Sequence, residues 1–477
     1  MSQLYVIVLA IIVAVLLAVA IYRTSRVKTK ADYLVAGRSL PALVLVLTLL
    51  TSWIGAGSLF AGAENAYRNG FAALWLPAGG WLGLLLIYFI APRARKFAQF
   101  TLPDLLEARY NQVARVLGTL AILFAYVGIT SYQFKGGGNV LHLIFPDQIT
   151  PSQGTWIIAA FVIVTTALAG MSSVAYMDVV IGSLVTVICI IATPYLLHEA
   201  GGWPGLHAVL PQTHFEILGN LTFMRAMEFM VPTLLLMLGN QVMYQKFFSA
   251  RSEKDARISV VGWIGGTVLL ETLIVAIAVF GSAMYRTGEV LQQPYEIIPY
   301  TARHGLPALM GAVLLGAVFA KVISTASNYL FSPASNLIED VYVRYLAPRA
   351  SNRQVLIFSR LAVVLLGVWA LYQAIYAPSI LEKMLWAYTI YSAALTPVVL
   401  AAFYSKRVTA WGAVAAIAAG TVVTLAWDVP GVKTAFPAWI GQRDAIFPAL
   451  VAAVAAMVVV SVLTPKPARE KLAQFAD

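Results

Sequence analysis

The stretch Lys321–Asn328, KVISTASN, lies inside an apolar run that begins near Leu306 and reaches about Leu330. A helix places Lys321, Ser324, Thr325 and Asn328 at i, i+3, i+4 and i+7, so the four form one polar stripe, with Ser327 flanking it on the Ser324 side. A lysine at mid-bilayer depth costs at least about 2.5–3.5 kcal/mol on insertion scales, so it should face protein or water and mark a pathway. The plainer reading is a packed helix whose lysine snorkels to an interface and whose hydroxyls bond back to carbonyls one turn earlier. The stripe alone leaves the two readings even.

Composition sets the frame. Of the 477 residues 60% are hydrophobic and 11% charged, and the mean hydropathy is +0.81, which excludes a soluble protein. Apolar runs of spanning length recur from Leu4 to Val462, so the chain reads as one all-α polytopic membrane domain. About 13 transmembrane helices are expected, starting near Leu4, Ala42, Ala72, Val116, Thr155, Val174, Ala226, Ile258, Pro307, Val355, Met384, Ala410 and Ile446. The first run follows no basic segment and lacks a small-residue cleavage site, so it is expected to stay as a span. The single Cys189 excludes an intramolecular disulfide or a cysteine metal site.

A net charge of +11 suits basic loops on a lipid bilayer better than a nucleic-acid partner. With the N-terminus outside, 23 of the 32 lysines and arginines fall in cytoplasmic segments, four of them in Lys246–Arg257, and 8 fall outside. That bias predicts a multi-pass protein of the inner (plasma) membrane with an external N-terminus and a cytoplasmic C-terminus.

Two spans carry interruptions. The second reads TSWIGAGSLFAGAEN (Thr51–Asn65) and the seventh MLGNQVMYQK (Met237–Lys246). Glycine and small polar residues at mid-span predict unwound backbone, which is tolerated only where it lines a cavity. Either span alone is explained by close helix packing. Together, five spans apart and oppositely oriented, they point to a transporter's binding site.

Few ionisable residues fall within the spans: Asp178, Glu228, Glu271 and Lys321. Glu271, in WIGGTVLLETLIVAIAV, is read first as a protonated structural carboxyl bonded to a neighbouring helix, with a functional role as the alternative, and Glu228 as a residue near the outer surface. The five histidines lie in loops or near surfaces, and no nucleophile, metalloprotease, phosphate-loop or paired-carboxylate pattern occurs, so an enzyme is not expected. Hydroxyls and carbonyls without many anions suit a weakly held monovalent cation. Carbonyls around Thr51 and Ile54 with Ser324 and Thr325 would form one such site, and Asp178 with Ser324, Ser327 and Asn328 a second. Aromatic residues at similar depth (Trp53, Trp75, Tyr126, Tyr132, Tyr244, Trp386, Tyr388, Tyr391) suit an organic cation or a flat solute, although interface belts account for several of them.

The segments ADYLVAGRSL (Ala31–Leu40), SVAYMDVV (Ser173–Val180), GNQVMYQK (Gly239–Lys246) and ISTASNYLFSPASNLIEDVY (Ile323–Tyr342) resemble the sodium:solute symporter family over essentially the whole chain. The helix Thr51–Tyr67 is most similar to the choline-transporter branch. The resemblance implies a leucine-transporter-like fold, a 5+5 inverted repeat with broken helices plus flanking helices. Its repeats would cover 41–200 and 222–405, with an extra helix and inner loop over 1–40 and two C-terminal helices and a short tail over 406–477.

It further implies a sodium-coupled symporter that imports a small polar organic solute by alternating access, with no cofactor and no obligatory protein partner. A first sodium site would use Thr51, Ile54, Lys321, Ser324 and Thr325, and a second, present in some members, Asp178, Ser324, Ser327 and Asn328. Solute would lie near Trp53, Gly55, Ser58, Trp75, Asn240, Gln241 and Tyr244.

Lys321 departs from the family pattern, in which a small residue is usual. Its ammonium is expected in or beside the first cation site, taking sodium's place and paired with Asp178, or else only its carbonyl matters. Coupling would then run through the second site or through a proton on Lys321. A transporter-like sensor is the alternative class, and the short tail after Pro465 argues against a fused kinase. Aromatic residues favour an organic cation, zwitterion or amino acid, with a monocarboxylate or sugar left open.

Overall fold

In a bilayer the backbone has no partner but itself, and these apolar runs form helices throughout. Among the described residues the only extended pairing is an isolated bridge between Leu40 and Ala250. A computed structural model describes residues 2–24, 29–97, 101–168, 170–285, 293–376, 379–468 and 471–472. Arg26, Lys28, Arg286 and Arg469, counted in the charge bias, and the last five residues of the tail lie outside these.

Among the described residues, twelve helical segments are long and apolar enough to cross a membrane. One of them, Gly57–Arg95, has 39 residues, about 58 Å of helix if straight, nearly twice a bilayer core. It reverses at Gly70, whose φ of 62° and close approach to the His214 backbone leave no room for a side chain. The short apolar helix Ala42–Trp53 supplies the missing pass. Its entry residue Leu40 bonds the Ser249–Arg251 backbone, and Arg95 donates to the Ala250 carbonyl at 2.6 Å, so the chain leaves and returns at the same end. Counting passes in this way restores the thirteen expected.

Both expected interruptions are real. The first helix runs Ala42–Trp53, opens at Ile54 (φ −84°, ψ 119°), and resumes through a wide turn at Gly57–Gly62 into Ala63–Asn69. The second breaks at Asn240 (φ −63°, ψ 112°) between Phe223–Gly239 and Gln241–Ser249. Every residue at these breaks is buried, and side chains replace the lost backbone bonds. Gln133 Oε1 accepts from the Ala56 N–H at 2.8 Å, and Asn240 Oδ1 caps Val242 at 3.0 Å.

The helix carrying the polar stripe, Ala308–Asn336, packs against Gln112–Ile144 and Met171–Glu199, and the first broken helix packs against Met171–Glu199 and Glu253–Tyr285. The last two spans, Ala410–Trp427 and Ile446–Leu463, pack mainly on each other at the periphery. The end bearing Leu40, Arg95 and Arg251 is closed by an ion network. Arg115 binds Asp104 at 2.6 Å, Glu107 at 2.5 Å and Asp340 at 2.7 Å, while Arg344 holds Glu107 at 2.5 Å. Leu337–Leu346 therefore continues the polar-stripe helix inward, with Asp340 at 1% exposure, and is only outwardly an amphipathic surface segment.

Burial works against the Glu107 charge, but Arg115 and Arg344 outweigh it and hold its carboxyl below the usual range. A depressed carboxylate stabilises the fold above its unfolded-state value and loses that contribution as pH falls through the lowered one. The same network makes Arg115→Met a stability variant. It strands the Asp340 carboxylate, at a cost of about 3–5 kcal/mol. The expected outcome is a lower unfolding temperature of the detergent-purified protein, partly recovered by Asp340→Asn in the same chain.

Candidate functional site

Asp178 sits two turns into Met171–Glu199 and is fully buried. Its carboxylate accepts from the hydroxyls of Thr48 and Ser324 and from Asn328 Nδ2 at 3.2 Å. The fourth partner is Lys246, whose ammonium lies 3.3 Å away. Lys246 Nζ also donates to the Thr48 carbonyl and hydroxyl, each at 2.7 Å, and to the Ser52 hydroxyl. The expected second cation site is thus assembled from Asp178, Ser324 and Asn328, but a protein ammonium occupies its charged corner. Ser327 is buried nearby without a bond to Asp178.

This corrects two expectations. Lys246 is no cytoplasmic loop residue, and the tally of 23 falls by one. Asp178 pairs with Lys246 and not with Lys321. The reason is the break at Asn240: the helix resumes at Gln241 and keeps Lys246 in the apolar interior, with Phe247 and Phe248 after it.

Most of the residues expected for the first cation site meet around Thr325. Its hydroxyl lies 3.2 Å from the Thr51 carbonyl, 3.0 Å from that of Ile54 and 3.0 Å from that of Lys321. One hydroxyl proton serves one acceptor, so this cluster carries surplus carbonyl oxygen where the first broken helix opens. Ser324, expected here, turns to Asp178 instead. Gly55 lets the strands of the site meet, since a Cβ there would stand 2.7 Å from Thr325 and 2.8 Å from Gln133. The Lys321 side chain is fully buried and donates to the Leu50 carbonyl at 3.3 Å, one residue before Thr51.

A narrow cavity of about 30 Å³ opens next to this break. Trp53 and Ser58, both expected at the solute site, line it together with Thr233, Glu271, Met384 and Tyr388. The other expected contacts lie elsewhere. Trp75 donates to the Ile217 carbonyl at 2.8 Å in a partly exposed position. Asn240 is spent on Tyr126, Tyr329 and its own helix cap. Gln241 bonds the Leu102 N–H and Asn336, and Tyr244 donates to the Leu238 carbonyl while stacking on Phe403. These polar side chains satisfy the second break and do not reach the cavity.

Two oppositely placed broken helices, bared carbonyls beside a hydroxyl stripe, and a cavity at that depth make a transporter's centre. The sequence pattern of the sodium:solute symporter family matches residues 33–420. The chain belongs to the sodium:solute symporter family. Similar proteins include the osmoregulated proline transporter of Bacillus subtilis (strain 168), 24% identical over 461 residues and covering 93% of this chain and 92% of its own length. The sodium/proline symporter of Haemophilus influenzae is 26% identical over 476 residues, covering 93% and 92%.

A substrate-bound, outward-open sodium-coupled sialic acid symporter superposes with a TM-score of 0.82 at 18% identity, covering 97% of this chain and 98% of that one. A nucleobase-cation-symport-1 family transporter in a closed conformation superposes at 0.60 and 14% identity, covering 94% and 99%. These likenesses establish the leucine-transporter-like fold. The family is one of membrane transporters, not enzymes.

In this symporter, sequence reasoning missed Lys246, Thr48, Ser52 and Gln133. The signal for Lys246 was its phase: five residues beyond Gln241 and directly before two phenylalanines, it had to stay at membrane depth. Removing it isolates Asp178. Lys246→Met is expected to destabilise the protein by about 3–5 kcal/mol. The double variant with Asp178→Asn should recover most of that loss, and thermal unfolding of the two singles and the double gives the coupling directly.

Proposed function

We propose that the chain is a sodium-coupled symporter that carries a small polar organic solute inward by alternating access, with one sodium ion held where the first broken helix meets Thr325. The observation that carries this reading is the gathering of the Thr51, Ile54 and Lys321 carbonyls on the single Thr325 hydroxyl. Neutral oxygens in excess of donors attract a monovalent cation without binding it too tightly to release. Family membership supports sodium as that ion. The second site contributes no further sodium, because the Lys246 ammonium already balances Asp178. Solute would bind in the cavity beside Trp53, and bundle rocking would expose it to either side. Placement in the inner (plasma) membrane with the C-terminus cytoplasmic follows from the charge bias, corrected for Lys246.

A second reading is favoured by one observation. Lys321 ends 3.3 Å from the Leu50 carbonyl, beside the first site, and its ammonium would stand in for sodium, coupling transport to a proton. Its donation to Leu50 rather than to Thr51 or Ile54 is why the sodium reading leads.

Proteoliposomes at fixed pH with sodium replaced by potassium separate the two. Sodium-dependent accumulation with one sodium per solute is expected. Accumulation that persists in potassium and follows a pH gradient sinks the sodium reading, and two sodium ions per solute removes the role given to Lys246. Gly55→Ala, by pushing Thr325 off the carbonyls, is expected to weaken sodium activation about tenfold or more while the protein stays folded.

A further inference from the structure

Glu271 is the charged side chain that the coupling scheme leaves unused. It sits mid-way along Glu253–Tyr285, is 4% exposed, and its carboxylate forms part of the cavity wall. Oε1 accepts from Trp53 Nε1 at 3.0 Å and from the Ser58 hydroxyl at 3.4 Å, and Oε2 from Trp81 Nε1 at 2.8 Å. The site is built, not incidental. Two indole N–H groups are donors only, so they orient the carboxylate as an acceptor without neutralising it. A carboxylate has about four lone-pair positions, of which these donors fill three.

No cation offsets that charge by contact. Among the described residues no lysine, arginine or histidine forms an ion pair with Glu271. Lys321 is in electrostatic range, but its ammonium is on the Leu50 carbonyl. No other lining side chain of the cavity is charged. Beside the carboxylate lie the rings of Trp53, which turns its N–H edge to it, and Tyr388, stacked on Trp53 with centroids 6.4 Å apart at 28°. Gly57 keeps the space open: a Cβ there would come within 2.9 Å of Met384 Sδ and 3.3 Å of the Tyr388 hydroxyl. A buried carboxylate with neutral donors but no ionic partner, in an aromatic wall, is complementary to a positively charged nitrogen.

We infer that this cavity is an ammonium subsite, and that the transported solute carries a protonated or quaternary amine which pairs with Glu271 beside Trp53 and Tyr388. The inference rests on the reading that this cavity is the solute site. A sugar would leave the Glu271 charge uncompensated on binding, and an anion would meet it directly. An amine supplies the missing counter-charge, and Ser58 and Thr233 offer hydroxyls to the rest of a small polar molecule.

The test uses the full-length purified protein and named probes: L-proline, glycine betaine and choline as ammonium compounds, D-glucose and N-acetylneuraminate as uncharged and anionic ones. Thermal shift and equilibrium binding are read in sodium. At least one ammonium probe should bind saturably. Glu271→Gln should weaken it about 100-fold and Glu271→Asp much less, with monodisperse elution showing that both variants are folded. Should the Gln variant not fold, the wild type carries the test through L-proline against cyclopentanecarboxylate, which lacks the amine and should not bind.

Saturable binding of glucose, N-acetylneuraminate or cyclopentanecarboxylate in place of the ammonium probes, binding of none, or an ammonium affinity unchanged in Glu271→Gln overturns the inference. So does uptake driven by a pH gradient without sodium and lost in Glu271→Gln, which would make Glu271 a proton carrier. Sodium-driven uptake of an uncharged solute would retain the symport reading while removing the subsite. Ammonium binding without sodium-driven uptake would do the reverse.

Discussion

The bond between Asp178 and Lys246 organises the centre of this protein. One carboxylate gathers Thr48 from the first broken helix, Ser324 and Asn328 from the polar stripe, and Lys246 from the second broken helix. These are the elements that an alternating-access cycle has to keep in register. Desolvating two charges is expensive, and a buried pair often adds little net stability over an apolar substitute. Its use here is specificity. The lysine's donors and the aspartate's acceptors are satisfied together where these four helices meet.

Other side chains let two helices be broken at mid-membrane. Each break frees carbonyls and N–H groups that lipid cannot serve. At the second break protein groups answer several of the freed ones: Asn240 Oδ1 caps Val242, the Tyr244 hydroxyl donates to the Leu238 carbonyl, and the Gln241 N–H reaches the Tyr391 hydroxyl at 2.9 Å. At the first break Gln133 answers an N–H, but the carbonyls of Thr51 and Ile54 share one hydroxyl with Lys321. The two interruptions look alike as sequence and differ in this balance.

That difference marks the limit of what could be read from residues. The helices, their number and the positions of both breaks were legible, because hydropathy and mid-span glycine report directly on backbone exposure to lipid. Asp178, Ser324, Thr325 and Asn328 were legible as a polar stripe and a nearby acid. Which polar residues line the cavity was not. Asn240, Gln241 and Tyr244 sit at the second break, and composition does not tell whether an amide there serves a ligand or the chain itself. Glu271 was seen but weighed as structural, since its two indole partners, Trp53 and Trp81, come from other helices. Lys246 was assigned to a loop because charge at a span's end ordinarily means an interface, and only the resumed helix after Asn240 keeps it inside.

The balance of charge in the core constrains how solute and ion bind. Asp178 and Glu271 are matched in number by Lys246 and Lys321, all four of them buried. Their surroundings differ. Asp178 is engaged by an ammonium at contact distance, whereas Glu271 is held only by neutral donors. On the proposed reading, a cation at Thr325 would meet carbonyl dipoles and a nearby lysine and be held weakly enough to leave again. A cationic nitrogen at Glu271 would meet a carboxylate bound only by neutral donors. The two tasks would then be split within one small centre, with the Lys246 ammonium as a fixed charge.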